Sequence, residues 1–324
     1  METLYVSKDA KLERQDSTLL IRQEGVPKRR IPVETLRHVV VTGESGLTTS
    51  LLALLGRNDV RVTVLDWYGN VAGSFEPMGS PASGAVRLAQ ARHASEPDTR
   101  LVLAKTFVVG TMRNLRANLR YRAYRGAQGL DLIIAEISRL ESAAQGANCI
   151  ESLMGFEGAA KAWYYQAWPV IDPRLDFGPR VRRPPNNPLN CLISWFNGLL
   201  YSATRHEIAK THLDGCIAFL HSSQEARWSL ALDLSEAFKP VIADALIFEI
   251  VLRGRLDEAW FHIEDNVCRL SDAGRRATLE TWVAKIDASD GETAPLRAAI
   301  RGDALALERH VLGMAEFKAY AKTV

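Results

Sequence analysis

The hydrophobic period of this chain changes near residue 80, and that change limits what each half can fold into. Before it, short runs such as TLYV, STLLIR, RHVVVTG and VRVTVLDW are rich in β-branched and aromatic residues and are parted by glycines or polar clusters. Runs of that kind suit strands, in which side chains alternate between two faces. Only SLLALLGRN reads as a helix there, with Ser50 as its expected N-cap and Gly56 as its stop. DWYGNVAGSFEP reads as a hairpin turning on Tyr68, Gly69 and Asn70, and EPMGSPASG after it reads as a linker.

Beyond Ser80 the apolar residues recur at helical spacing. Leu101, Ala104, Val108, Leu115 and Leu119 fall three, four and seven apart, as on one face of an amphipathic helix. Further helices are expected over roughly 147–168, 188–210, 229–253 and 273–286, with the basic, proline-rich RVRRPPNNP as a loop between two of them. The expected fold class is α+β. A small N-terminal β-sheet domain, sandwich-like, occupies residues 1–78, and a larger all-α domain occupies residues 79–324.

A chain of 324 residues can bury a sizeable core and can hold two domains. Its net charge of only +2 rules out a global basic field, so any nucleic-acid binding would rest on clustered arginines. The four cysteines, Cys149, Cys191, Cys216 and Cys268, form no CxxC pair. That spacing argues against a disulfide scaffold or a thiolate zinc site and suits a reducing cytosol. Met1 to Gln15 lacks the apolar core of a signal peptide, and ADALIFEIVL is too short to span a bilayer and is interrupted by Glu249. A soluble intracellular protein is expected.

Acidic residues stand where apolar ones would pack more cheaply. If NCIESLMGFEGAAKAWYYQAW is helical, Ile150, Leu153, Met154, Glu157, Ala160 and Tyr164 share one face, which puts Glu157 on the apolar stripe. Gly155 and Gly158 flank it, and close approach by another group is a natural reason to keep glycine in a helix at about 1 kcal/mol relative to alanine. A buried carboxylate needs a partner, and an internal salt bridge to arginine or lysine is one candidate. A second cluster bears on the choice. Asp233 and Glu236 lie three apart on an expected helix that Ser229 could cap and Pro240 would kink or interrupt, and His221 closes the apolar IAFLH just before it. Acids and an imidazole beside apolar segments favour a divalent ion, and oxygen-rich ligation with one nitrogen favours Mg2+ or Mn2+.

At these residues the chain resembles the CRISPR-associated integrase and endonuclease family, Cas protein one. The matching pieces are GFEGAAKAWY, NPLNCLISWFNGLLYSA, FLH and SLALDLSEAFKPVIAD, in that order. DWYGNVAGSFEP is similar to the end of the family's β domain, and RGRLDEAWF with CRLSDAGRRATLETW to its C-terminal helical tail. The resemblance covers nearly the whole chain. It departs in Ala218, where a glycine often precedes FLH, and in Lys239, where arginine is common.

The resemblance implies a prokaryotic cytosolic protein with a β domain that dimerises and an α domain that is catalytic. It implies a homodimer that joins a small partner, Cas protein two, and inserts captured DNA into a CRISPR array. The metal ligands carry over onto Glu157, His221 and Glu236, with Asp233 as an auxiliary acid, and the ion is Mg2+ or Mn2+. The implied chemistry is attack by a DNA 3′ hydroxyl on a phosphodiester. With water as nucleophile it becomes nuclease activity, and reversed it resolves branched DNA. Arg113, Arg116 and Arg120, on one face of GTMRNLRANLRYRAYRG with Asn114 and Asn118 beside them, are candidates for phosphate contact or form a solvated face. Arg227 precedes SLALDL where the family often carries a base, and Tyr201 matches a family tyrosine near the DNA or is an ordinary core aromatic. Arg180, Arg182 and Arg183 form a loop cluster that contacts DNA or only keeps the loop wet; the DNA implied is duplex and branched. Two rival functions stand beside this one: a catalytically silent DNA-binding scaffold whose acids are salt-bridged, and a metal-dependent phosphoesterase acting on small molecules.

Overall fold

Strand order in the first part of the chain follows from where its turns can form. In the computed structural model, which describes residues 3–7, 9–79, 81–221, 228–288 and 295–322, β2 (Ala10–Gln15) and β3 (Thr18–Gln23) pair antiparallel across a turn in which Asp16 has φ +53°. Aspartate tolerates that left-handed conformation better than most residues. Strand β4 (Val26–Pro32) pairs with β3, and β6 (Ser45–Leu47) lies parallel to β2, giving one four-stranded sheet in the order β4-β3-β2-β6. The second four-stranded sheet runs β1 (Thr3–Val6), β5 (His38–Val41), β7 (Arg61–Leu65), β8 (Val71–Phe75). Its first three strands are parallel, and β8 returns antiparallel through the expected hairpin. Asp66 secures that turn: its Oδ1 accepts from Tyr68 N at 2.9 Å and from Asn70 N at 2.8 Å, and Gly69 takes φ +85°.

Leu12, Leu19 and Ile21 of one sheet share a core with Leu4, Val39, Val41 and Val62 of the other, as in a sandwich. Helix α1 (Thr49–Arg57) adds Leu51, Leu54 and Leu55 to it. Its N-cap is Thr48, whose hydroxyl accepts from Leu51 N at 3.4 Å, and not Ser50; it also runs one residue past Gly56. Strand β4 was not evident in the sequence because VPKRRIP is an edge strand with its charges exposed, and β2 because AKLERQ buries only alternate residues.

The chain divides into two compact units. One comprises Met1–Pro81, Arg180–Ser202 and Asp257–Trp282; the other comprises Ala82–Pro179, Ala203–Leu256 and Val283–Val324. The first unit therefore draws on two segments beyond the linker. Gly198 explains part of that recruitment: a Cβ there would collide with the carbonyl of Gly69, so glycine permits this close approach. Residues 261–270 are not helical. They form a two-stranded antiparallel hairpin, β9 (Phe261–Glu264) and β10 (Val267–Leu270), turning on Asp265 and Asn266, both at positive φ.

The second unit is built on helices. They are α2 (Gly84–Ser95), α3 (Pro97–Tyr124), α4 (Asp131–Gln145), α5 (Ile150–Ile171), α7 (Ser229–Glu236), α8 (Ala243–Leu252) and α10 (Leu296–Val311). Helices α6 (Pro188–Ile208) and α9 (Asp272–Ile286) each contribute to both units. The stretch expected as one helix over 229–253 is two, with Pro240 in the break, because proline lacks the N–H that continues the ladder. Among the described residues no helix is long and apolar enough to cross a membrane.

Candidate active site

Helix α5 carries Glu157 on the stripe formed by Leu153, Ala160, Tyr164, Ala167 and Trp168, and the carboxylate is only 7% exposed. Met154 falls off that stripe and is exposed. Gly155 and Gly158 are exposed too, and an added Cβ at either would meet nothing within 4 Å, so no close approach explains them.

Helix α7 supplies the other acids. Its start is fixed to the preceding loop: Trp228 is the N-cap residue, Leu230 N donates to Gly215 O at 3.1 Å, and Ser229 Oγ donates to Cys216 O at 2.9 Å. Ser229 is thus the first helical residue and not the cap. Two asparagines one turn apart on α3 hold the chain that leaves the helix. Asn114 Nδ2 donates to Ala237 O at 2.7 Å and Asn118 Nδ2 donates to Pro240 O at 2.8 Å. Asn114 also meets Tyr320 O and Lys322 N and is fully buried, so it braces the segment behind Glu236 and presents no surface for DNA.

Asp233 is fully buried and accepts four hydrogen bonds. Oδ2 takes the N–H groups of Phe219 at 2.7 Å and Leu220 at 3.0 Å; Oδ1 takes the N–H of His221 at 3.0 Å and its ring Nδ1 at 2.8 Å. It therefore shapes the FLH segment and fixes the imidazole tautomer, leaving Nε2 with the lone pair in the neutral ring. Burial works against protonation of His221. The hydrogen bond and charge of Asp233, with the charges of Glu236 and Glu157, outweigh it and raise the pKa above the ordinary histidine value.

Glu157 and Glu236 converge on one ammonium. Lys161 Nζ lies 3.0 Å from Glu157 Oε1 and 2.7 Å from Glu236 Oε2, and Lys239 Nζ pairs with Glu236 Oε1. Burial penalises the charge on Lys161, but the two glutamates overcome that and raise its pKa; likewise burial opposes ionisation of Glu236, and Lys161 with Lys239 hold its carboxyl well below the usual range. Lys161 was not singled out from the sequence, and Lys239 was named there only as a departure from a common arginine. The signal was available for Lys161, four residues after Glu157 on the same side of α5, and less so for Lys239, three residues after Glu236 but beyond the end of α7.

With the side chains so paired, no group of three His, Cys, Asp or Glu among the described residues is arranged to hold a metal ion. The donor set still suits one. Two carboxylates already share a single positive charge, and the histidine whose charge they influence has its tautomer set by a third acid, as in carboxylate–histidine–metal arrangements. Oxygen donors with one nitrogen match Mg2+ or Mn2+.

The expected DNA contacts lie in different settings. Arg113 Nε and Arg116 Nη1 pair with the two oxygens of Glu141 on α4, at 3.0 and 2.7 Å, whereas Arg120 is exposed. Tyr201 is half-buried on α6, Arg182 and Arg183 are exposed in their loop, and Arg180 bonds to Asn190 and Ser194. Arg227 lies outside the described residues.

The family described as "CRISPR associated protein Cas1" matches residues 4–284. A "CRISPR-associated endonuclease Cas1 2" from Moorella thermoacetica is 36% identical over 282 residues, covering 87% of this chain and 85% of that protein. A solved Cas1 protein from Thermotoga maritima superposes with a TM-score of 0.88 at 29% identity, covering 98% of this chain and 100% of that one. A casposase bound to an integration product has the same fold, with a TM-score of 0.87 at 21% identity over 99% of this chain and 94% of that one. A relative above 30% identity and a family match over most of the chain show the family: this chain belongs to the CRISPR-associated Cas1 family.

Proposed function

We propose that this protein is a metal-dependent DNA integrase and endonuclease that inserts captured DNA into a CRISPR array. The observation that carries the reading is the meeting of Glu157 and Glu236, from separate helices, on one cation position beside a histidine oriented by Asp233. Membership of the Cas1 family supports it, as does a fold shared with a casposase held on an integration product.

Phosphoryl transfer asks the protein mainly to position reactants and neutralise charge. Glu157, Glu236 and Nε2 of His221 would hold Mg2+ or Mn2+, which supplies positive charge to the phosphoryl oxygens. Asp233 keeps the imidazole proton on Nδ1. Lys161 and Lys239 balance the carboxylates while the substrate is absent and bring positive charge to the place where phosphate must sit. The proposed partners are duplex and branched DNA, a second copy of the chain, and the small Cas protein two.

A strand-transfer assay on branched and linear DNA with Mn2+ tests this. Glu157→Ala should abolish transfer while leaving folding and DNA binding intact, and transfer by that variant at the wild-type rate would overturn the assignment. One observation favours a second reading, the silent scaffold: the lysines already satisfy both glutamates. DNA binding with no DNA processing under any ion would favour it.

A further inference from the structure

Helix α3, the turn after it, helix α8 and the stretches at Lys285 and Lys322 line a cavity of about 1050 Å3 that includes none of Glu157, His221, Asp233 or Glu236. Five cationic side chains face it, Arg122, Arg125, Arg253, Lys285 and Lys322, against a single acid, Glu249. That acid is already taken: it pairs with Arg253 at 3.0 Å and lies 3.7 Å from Arg255. Arg122, Arg125, Lys285 and Lys322 have no ion-pair partner among the described residues.

Arg122 is the most telling of them. Its guanidinium carbon lies 4.6 Å from the Phe248 ring centroid and 5.2 Å from that of Tyr121, so it is held between aromatic groups instead of by an acid. Its Nε is buried and finds no hydrogen-bond partner among the described residues. Burial lowers the pKa of Arg122, and burial with the like charge of Lys322 lowers that of Lys285. Arg122 and Lys285 are thus partly desolvated beside other cations that repel them, and a bound anion relieves both conditions. A guanidinium beside ammonium groups suits phosphate. At the mouth, Tyr121 and Tyr124 are exposed, and Lys322 Nζ lies 5.8 Å from the Tyr121 ring centroid, so π faces stand beside the charge. Aromatic faces next to cations are what a stacked base with its phosphate requires.

We propose that this cavity is a nucleotide-binding site, separate from the carboxylate site, in which Arg122, Lys285 and Lys322 take the phosphate and Tyr121 or Tyr124 stacks the base. The phosphate ester can belong to a free mononucleotide or to one nucleotide of a single strand. The site does not depend on the metal reading of Glu157 and Glu236.

Calorimetric titration of the full chain with deoxyadenosine monophosphate, inorganic phosphate and a short oligothymidylate tests the proposal. Arg122→Gln and Lys285→Gln should each weaken nucleotide binding by about tenfold or more, the scale of a lost charge-assisted contact. Tyr121→Ala should weaken the nucleotide and leave inorganic phosphate unchanged. Tighter binding of the mononucleotide identifies a free ligand, and tighter binding of the oligomer identifies a strand. Lys285→Gln, on a half-exposed side chain, keeps the test valid should Arg122→Gln unfold the protein. The proposal is overturned if neither nucleotide probe loses affinity in the folded variants, or if inorganic phosphate binds as tightly as the nucleotides.

Discussion

His221 Nδ1 and Asp233 Oδ1 stand 2.8 Å apart, and the same oxygen takes the backbone N–H of His221. One buried carboxylate therefore sets both the path of the chain and the tautomer of the ring. Asp233→Asn keeps the volume but turns one acceptor into a donor facing N–H groups. Loss of about 2–5 kcal/mol of stability is expected, the range for a disrupted buried charged network. Urea unfolding measures that loss, and strand transfer should fall with it. A variant as stable as wild type would show that these four bonds contribute little.

Lys161 reaches a carboxylate 75 positions further along the sequence, Glu236, while holding Glu157 one turn before it. Lys161→Met leaves two mutually repelling carboxylates with only Lys239 beside them, and about 3 kcal/mol of destabilisation is expected without added metal. The ammonium also competes for the ion, so Mn2+ should raise the melting temperature of the variant more than that of the wild type. Thermal melts with and without Mn2+ provide the check. An equal shift in both proteins would count against a shared cation position.

Arg116 is engaged by Glu141, whereas Arg120 is exposed. The slope of log affinity against log salt for duplex DNA reports how many phosphates are neutralised. Arg120→Ala should reduce that slope by about one contact's worth. Arg116→Ala should leave the slope unchanged and lower stability, because Glu141 is 7% exposed and loses a partner. Equal slopes for Arg120→Ala and wild type would remove Arg120 from the DNA surface.

Asp303 on α10 accepts from Tyr320 N at 2.8 Å, yet burial pushes its carboxyl up to about 7 from an ordinary 3.8. The folded state then holds a proton that the unfolded state releases between those values. Stability from this group is full below about pH 4 and is lost as pH rises toward 7, by about 1.4 kcal/mol per pKa unit. Asp303→Asn retains an acceptor for Tyr320 and removes the titration. Denaturation midpoints measured across that range should fall with pH more steeply in the wild type than in the variant.

The two kinds of period, alternation before residue 80 and helical spacing after it, were sufficient to read the α+β order, and the turn residues around Gly69 marked the hairpin there. The spacing joined 229–253 into one helix, although Pro240 marked a kink or interruption within it. The ordered motifs likewise marked Glu157, His221, Asp233 and Glu236. These are local signals, carried by residues a few positions apart. Strand β4 escaped because its exposed charges mask its pairing, and the hairpin at Asp265 because its turn residues sit inside an otherwise helical region. Only the tertiary structure decided that Asn114 braces the chain behind Glu236, that Glu141 claims Arg113 and Arg116, and that Lys161 joins Glu157 to Glu236. A charge shows in the sequence, but its partner is chosen by packing between distant segments, and burial then sets how strongly the two interact.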